Sequence, residues 1–222
     1  MNGDTYGAKK NYSLSLNNKK CISKIVIHPR NKKIMKKNSQ HHIPLFILEE
    51  TTQPKAVCLV EPLGMNRADS DAMAAMWKKA GVENVYRIHK LTAVAVGMGI
   101  DVLSPDAKMV VCIEEERTEI GVLALGGYSA HQSFPTDMAA ITTGIKEILS
   151  GLAIEVAADI FRDGIFATCP PATAVLLQKE LSKCLNREVN VTGTAIPLLE
   201  LIDQGAQQIL AEYDKFPFVV KV

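Results

Sequence analysis

The chain has 222 residues, is 47% hydrophobic and 22% charged, and carries a formal net charge of +1. That apolar content, with only 14 Gly and 10 Pro, excludes collagen-like, low-complexity and wholly disordered classes. No apolar run reaches the roughly 18 residues of a membrane span. Residues 1–10 lack a secretory hydrophobic stretch, so the expected location is the cytoplasm.

Five cysteines (Cys21, Cys58, Cys112, Cys169, Cys184) are scattered, with no Cys-x-x-Cys, so neither a disulfide framework nor a zinc site is indicated. The near-zero net charge hides an asymmetry. Residues 1–42 hold ten Lys/Arg against one acid, Asp4, a local charge of +9, and leave 15 basic against 23 acidic residues in the rest. Such an arm suits an anionic membrane surface or nucleic acid, and equally a solvated tail lying against its own acidic body. With only Tyr6 and Tyr12 as aromatics it makes a poor stacking platform, and an acidic body disfavours nucleic acid further. The expected division is a basic, partly disordered arm over 1–42 and a packed core over 43–222.

In chain order, Cys21–Ile27 is β-branched and reads as a strand closed by Pro29, and Lys55–Val60 as a buried strand closed by Pro62 and Gly64. Helical spacing over Asp69–Ala80 ends at Gly81. Val82–Ile88 reads as a strand and Leu91–Met98 as a short helix rich in small residues. Met109–Ile113 and Glu119–Leu125 are apolar strands on either side of Glu114–Arg117, which predicts a hairpin, and Tyr128–Phe134 adds a third strand. Thr136–Ile160 has a 3.6-residue apolar period weakened by Gly144 and Gly151, so one long helix or two shorter ones are both open. Strand Gly164–Thr168, helix Ala172–Cys184, strand Glu188–Val191 and helix Pro197–Tyr213 complete an α/β order.

The run Lys108 to Gly127, Lys-Met-Val-Val-Cys-Ile-Glu-Glu-Glu-Arg-Thr-Glu-Ile-Gly-Val-Leu-Ala-Leu-Gly-Gly, resembles the second phosphate loop of the bacterial actins of the MreB family. That loop reads in outline Met-Val-Val-Asp-Ile-Gly-Gly-Gly-Thr-Thr-Glu, followed by an apolar strand and a Gly pair. Val85–Ile88 and Ala93–Val102 resemble the strand and Ala-rich helix before it. Gly164–Thr168 and Ile196–Ala206 resemble the adenosine-loop strand and the closing helix. The resemblance covers roughly residues 55–212. It implies an actin-like (ribonuclease H-like) core of the actin/Hsp70 superfamily, α/β with a mixed sheet and flanking helices. The stretch from Gly127 to Ile145 and the N-terminal part are too short for the family's small inserted subdomains, so these are expected to be missing.

The residues that would do the family's chemistry differ. Glycine turns let backbone N–H groups approach phosphate, whereas Glu114, Glu115 and Glu116 stand here, and three carboxylates repel a polyphosphate. Cys112 replaces the metal-linked Asp, and with Glu114–Glu116 and Thr118 it makes up a degenerate phosphate loop. The adenosine loop is Cys169-Pro170-Pro171-Ala172, and proline has no N–H to offer. His89-Lys90-Leu91 falls where the family has Glu-Glu-Pro, with its water-orienting carboxylate. The Asp-x-Gly-Thr turn of the first phosphate loop has no counterpart.

Other candidates are weaker. His41-His42 sit in a polar stretch, and Ser129, His131 and Ser133 lack a Gly-x-Ser-x-Gly elbow. Glu114–Glu116 read as a metal-binding acidic turn or a solvated hairpin tip. Cys169 reads as a thiol activated by a helix N-terminus or as a small buried residue, and Lys78-Lys79 as a wet helix face.

The resemblance therefore implies a degenerate, MreB-type scaffold or filament-associated factor in cell shape and the cytoskeleton, with ATP hydrolysis lost. The alternative is a superfamily ATP-binding or enzyme-reactivating, chaperone-like protein with an altered cleft. No catalytic residue, metal or cofactor is expected, with ATP and Mg²⁺ bound only by a cleft competent despite these replacements. The expected partners are a protein or filament, another copy of the chain, and an anionic membrane surface met through residues 9–37 at the inner face of the membrane.

Overall fold

The computed structural model describes residues 24–27 and 56–222. The apolar runs form strands that sort into two sheets. β1 (Lys24–Ile27) and β2 (Ala56–Glu61) precede α1 (Arg67–Lys79), β3 (Asn84–His89) and α2 (Lys90–Gly97). β4 (Lys108–Ile113), β5 (Arg117–Ala124) and β6 (Gly127–Pro135) follow, then α3 (Met138–Gly151) and α4 (Ile154–Asp163). β7 (Ile165–Ala167), α5 (Pro171–Leu185), β8 (Val191–Gly193), α6 (Leu198–Ala211) and β9 (Val220–Lys221) complete the chain.

The first sheet has the order β1-β2-β3-β9, with β1, β2 and β3 parallel and β9 antiparallel to β3. The second has the order β6-β5-β4-β7-β8, an antiparallel meander continued by two strands parallel to β4. It is the mixed sheet, with flanking helices, that the resemblance implies.

Strand β4 shows why the halves stay together. Val110 and Cys112 face one apolar core and Met109 and Val111 the other, so the strand is buried on both faces and reads as a continuous apolar run. The core around Val110 and Cys112 also takes Cys58, Val60, Tyr86 and Ile88 from the first sheet, with α2 and α6 between them. Every residue of α2 from Lys90 to Val96 is buried, as expected of a helix apolar nearly all round. Helices α2 and α6 cross so closely that a side chain on Gly205 would collide with the Ala93 carbonyl, and one on Gly97 with the Leu201 backbone.

Local signals explain most boundaries. The side chain of Asn66 accepts from Asp69 N (2.8 Å) and that of Asp137 from Ala140 N (2.8 Å), capping α1 and α3. Extended backbone at Leu152 and Ala153 divides the Thr136–Ile160 stretch into α3 and α4. The strand expected over Glu188–Val191 lies instead at Val191–Gly193. Arg187 N donates to Ser182 O and Val189 N to Ser182 Oγ, which ties that stretch to the end of α5. Helix α6 ends at Ala211, with a single tight turn at Tyr213–Lys215, and β9 is an element that the sequence pattern does not announce.

The two-residue β5–β6 turn holds both Leu125 (φ 50°) and Gly126 (φ 74°) in left-handed backbone. Glycine accepts that conformation freely; leucine does so at a cost of about 1–2 kcal/mol. The expected basic arm, with His41-His42, lies outside the described residues except for Lys24–Ile27, which pairs with β2. Among the described residues no helix is long and apolar enough to cross a membrane.

Candidate functional site

The carboxyl ends of β2 and β3 face the turn between β4 and β5, the kind of place where open α/β folds bind ligands. The turn is three residues long, Glu114–Glu116, with Glu114 N donating to the Arg117 carbonyl (3.2 Å). Glu115 and Glu116 are exposed, and Glu114 is turned inward. Its carboxylate accepts from Nζ of Lys90, the first residue of α2. The same ammonium lies 3.1 Å from Glu119 Oε1, on β5, which also accepts from Leu63 N (3.2 Å) just after β2. Lys90 and Glu119 are both buried. One ammonium and two carboxylates thus form an ion cluster joining both sheets.

Burial pulls the Lys90 ammonium down, but the neighbouring Cys112, Glu119 and Glu114 outweigh it, and the net direction is upward. Lys90 is therefore charged at any physiological pH. Burial pushes the Cys112 thiol up to about 12, with Lys90 opposing and the two carboxylates adding, so Cys112 is a neutral thiol.

Thr118 Oγ1 lies 3.2 Å from Thr136 Oγ1, behind the turn. The β7 loop closes against β4, with Thr168 Oγ1 accepting from Ile113 N (2.8 Å) and Thr168 N donating to Val111 O (2.9 Å). Cys169 follows, buried, and accepts from Thr194 N (2.8 Å). Burial raises its thiol, the reverse of activation by a helix N-terminus. Pro170 caps α5 and Pro171 opens it, while the amides of Thr173 and Ala174 are both spent on the Pro170 carbonyl. Ala172 is exposed.

The carboxyl ends of β4 and β7 thus gather Cys112, Glu114, Thr118 and the Cys169–Ala172 loop in one region. The remaining candidates stand apart. His131 is exposed on β6, edge-on to Tyr128 at 5.6 Å, and Ser133 Oγ accepts from Arg117 Nε (3.1 Å). Ser129 sits at the β5–β6 bulge, and Lys78 and Lys79 are exposed at the end of α1. Among the described residues no cluster of His, Cys, Asp and Glu is arranged to hold a metal.

Lys90 stands out in the sequence only as a replacement within the Glu-Glu-Pro positions and Glu119 only as a strand residue, and neither pattern announces their ion pairing. The available signal was a lone charge at the edge of an apolar helix and another inside an apolar strand, since buried charges persist only where paired.

A family model described as MreB/Mbl protein matches residues 30–137. No curated protein matches the sequence. Among solved structures, MreB 5 of Spiroplasma citri bound to AMPPNP is similar with a TM-score of 0.64 and 14% identity, over 77% of this chain and 73% of that one. The same organism's MreB5 bound to ADP gives a TM-score of 0.60 and 15% identity, over 72% and 70% of the two chains. The fold is therefore actin-like, similar to that of MreB, and a little under half of the chain, residues 30–137, matches the MreB/Mbl family model.

Proposed function

We propose that this MreB-like chain is a non-hydrolysing scaffold or filament-associated factor of the cell-shape cytoskeleton, and that its own side chains fill the place of a nucleotide's phosphates. The observation that carries this reading is the ion cluster of Lys90 with Glu114 and Glu119. The residues do not fit Mg-nucleotide. A triphosphate at the turn would meet carboxylates, and like charges at 4 Å repel by about 4 kcal/mol even at an effective dielectric of 20. A neutral buried thiol at Cys112 is no partner for hard Mg²⁺. The prolines remove adenosine-loop donors. Spiroplasma citri MreB 5 has been crystallised bound to AMPPNP and to ADP; in our reading this chain has exchanged that ligand for an internal ion pair.

The test is calorimetric titration with Mg-ATP and Mg-ADP to millimolar concentration. We expect no binding heat; saturable binding would overturn the reading.

The +9 of residues 1–42 supports a second element of the same proposal, attachment to an anionic membrane surface at the inner face of the cytoplasmic membrane. Each Lys or Arg near such a surface contributes about 1 kcal/mol. Vesicles containing phosphatidylserine should co-sediment the chain. They should release the variant with Lys9, Lys10, Lys19 and Lys20 changed to Glu; equal co-sedimentation removes the arm from the mechanism.

A further inference from the structure

Strand β6 is the outermost strand of the mixed sheet, and among the described residues no strand pairs with its outer side. One bond fixes which of its backbone groups face outward. Thr136 N donates to the Glu116 carbonyl (3.4 Å), which continues the ladder past the Arg117–Pro135 pair. Residues of an antiparallel strand alternate between bonding to one side and to the other. Ala130, Gln132 and Phe134 therefore bond to β5, while His131 and Ser133 turn N–H and C=O outward and Pro135 its carbonyl.

Proteins blunt such edges with charges, prolines or bulges. Here Ser129, the extra residue where the register shifts, and Pro135 close the two ends. The five residues between them, Ala130 to Phe134, carry no charge and no proline. That window fits one short added strand.

Its two faces differ in chemistry. Ala130 and Phe134 are half-buried on the α3 side, where the Gly144 position abuts the Phe134 ring. On the opposite face, Ser133 Oγ accepts from Arg117 Nε (3.1 Å). Arg117 is exposed, turns to β6 rather than to Glu115 or Glu116 beside it, and among the described residues has no ion pair. A guanidinium so placed keeps its outer N–H groups for a carboxylate.

We propose that the β6 edge binds, by strand addition, an extended segment of a partner protein whose side chains alternate between apolar and acidic. The segment's backbone pairs with His131, Ser133 and Pro135, its apolar side chains extend the Phe134 face, and a carboxylate meets Arg117. Strand β6 has no carboxylate of its own, so a second copy of its edge does not answer Arg117. The inference goes beyond the closed-cleft reading and stands apart from it, since the outer edge of β6 uses none of Lys90, Glu114 and Glu119.

The test is titration of the full chain, without nucleotide, with a labelled, end-blocked peptide Val-Asp-Val-Asp-Val, followed by fluorescence anisotropy and hydrogen exchange. Binding should saturate and slow exchange at the His131 and Ser133 amides, leaving the inward Gln132 amide unchanged. The peptide with Lys in place of Asp should bind about fivefold more weakly, the upper range for an exposed ion pair. Arg117→Gln should erase that difference. Ser133→Pro removes an N–H that pairing with β5 does not use, and should abolish binding. If that proline unfolds the chain, the Arg117→Gln comparison decides alone. No saturable binding at millimolar peptide, equal binding of the two peptides to the wild type, or binding that survives Ser133→Pro would each overturn the proposal. So would self-association, seen by sedimentation velocity, that Ser133→Pro abolishes, because the edge would then take a second copy.

Discussion

The five-stranded mixed sheet and the four-stranded sheet, parallel but for β9, are assembled by different means. Strands β4, β5 and β6 are consecutive and joined by turns of three and two residues, and their outer face packs on Ile141, Ile145, Leu177 and Leu181. The four-stranded sheet gathers β1, β2, β3 and β9 from distant parts of the chain. Beneath α1, among the described residues, its core consists of Val57, Leu59, Ala74, Val82 and Val85. A sheet built from local hairpins carries its own register and core. The other sheet leans on the shared α2–α6 layer and on the ion cluster that ties Leu63 and Lys90 to Glu114 and Glu119.

Breaking that tie should have the largest effect. Lys90→Met leaves two carboxylates without their shared ammonium, and losing one partner of a buried pair costs about 3–5 kcal/mol. Adding Glu114→Gln and Glu119→Gln to Lys90→Met should recover most of it. Urea melts of the two variants decide the matter, and a single-variant loss below about 1 kcal/mol would mean that the cluster does not join the sheets.

Next comes the helix crossing. Gly205→Ala drives a methyl into the Ala93 carbonyl and should cost about 1–3 kcal/mol. Gly151→Ala, with open space around it, should be stabilising by up to about 1 kcal/mol. The same melts compare these two alanines directly.

Two pH effects bear on the two sides separately. On the mixed sheet, Asp163 is held well below the usual carboxylate range by Arg162 and Lys108. A depressed carboxyl contributes stability above its unfolded value near 3.8, and that contribution is lost as pH falls through the folded value. Melting temperature should drop on acidification below pH 4, and less steeply in Asp163→Asn. At the tie, Lys90 is raised, so its contribution is complete below 10.5 and lost as pH rises above it. The alkaline loss should be smaller in the triple Lys90→Met variant.

The smallest effect concerns the caps. Asn66→Ala on the parallel side and Asp137→Ala on the mixed side remove equivalent bonds, each costing about 1 kcal/mol. Equal losses by thermal melting would show that both sheets unfold as one unit; a second transition in Asn66→Ala alone would show that the parallel side separates first.

What could be read from the sequence follows the same division. The β4–β5–β6 meander, α3 and α5 announce themselves through local periodicity, caps and short turns. β9 has no such signal, because two residues pair with β3 only through the tertiary fold. The Glu188–Val191 shift came from a side-chain bond, Ser182 to Val189, that no propensity encodes. At the site, the replaced positions Cys112, Glu114–Glu116 and Cys169–Ala172 were legible because they interrupt a recognisable run. The pairing of Lys90, itself at a replaced position, with Glu114 and Glu119 was not, because it joins segments well separated in sequence.

Hydrogen exchange at the Glu114–Arg117 turn and the first turn of α2, with and without millimolar Mg-ATP, tests the central claim most directly. The account predicts identical exchange, because in the proposed reading the Lys90 ion cluster takes the place of a phosphate. Protection of those amides by Mg-ATP would contradict it.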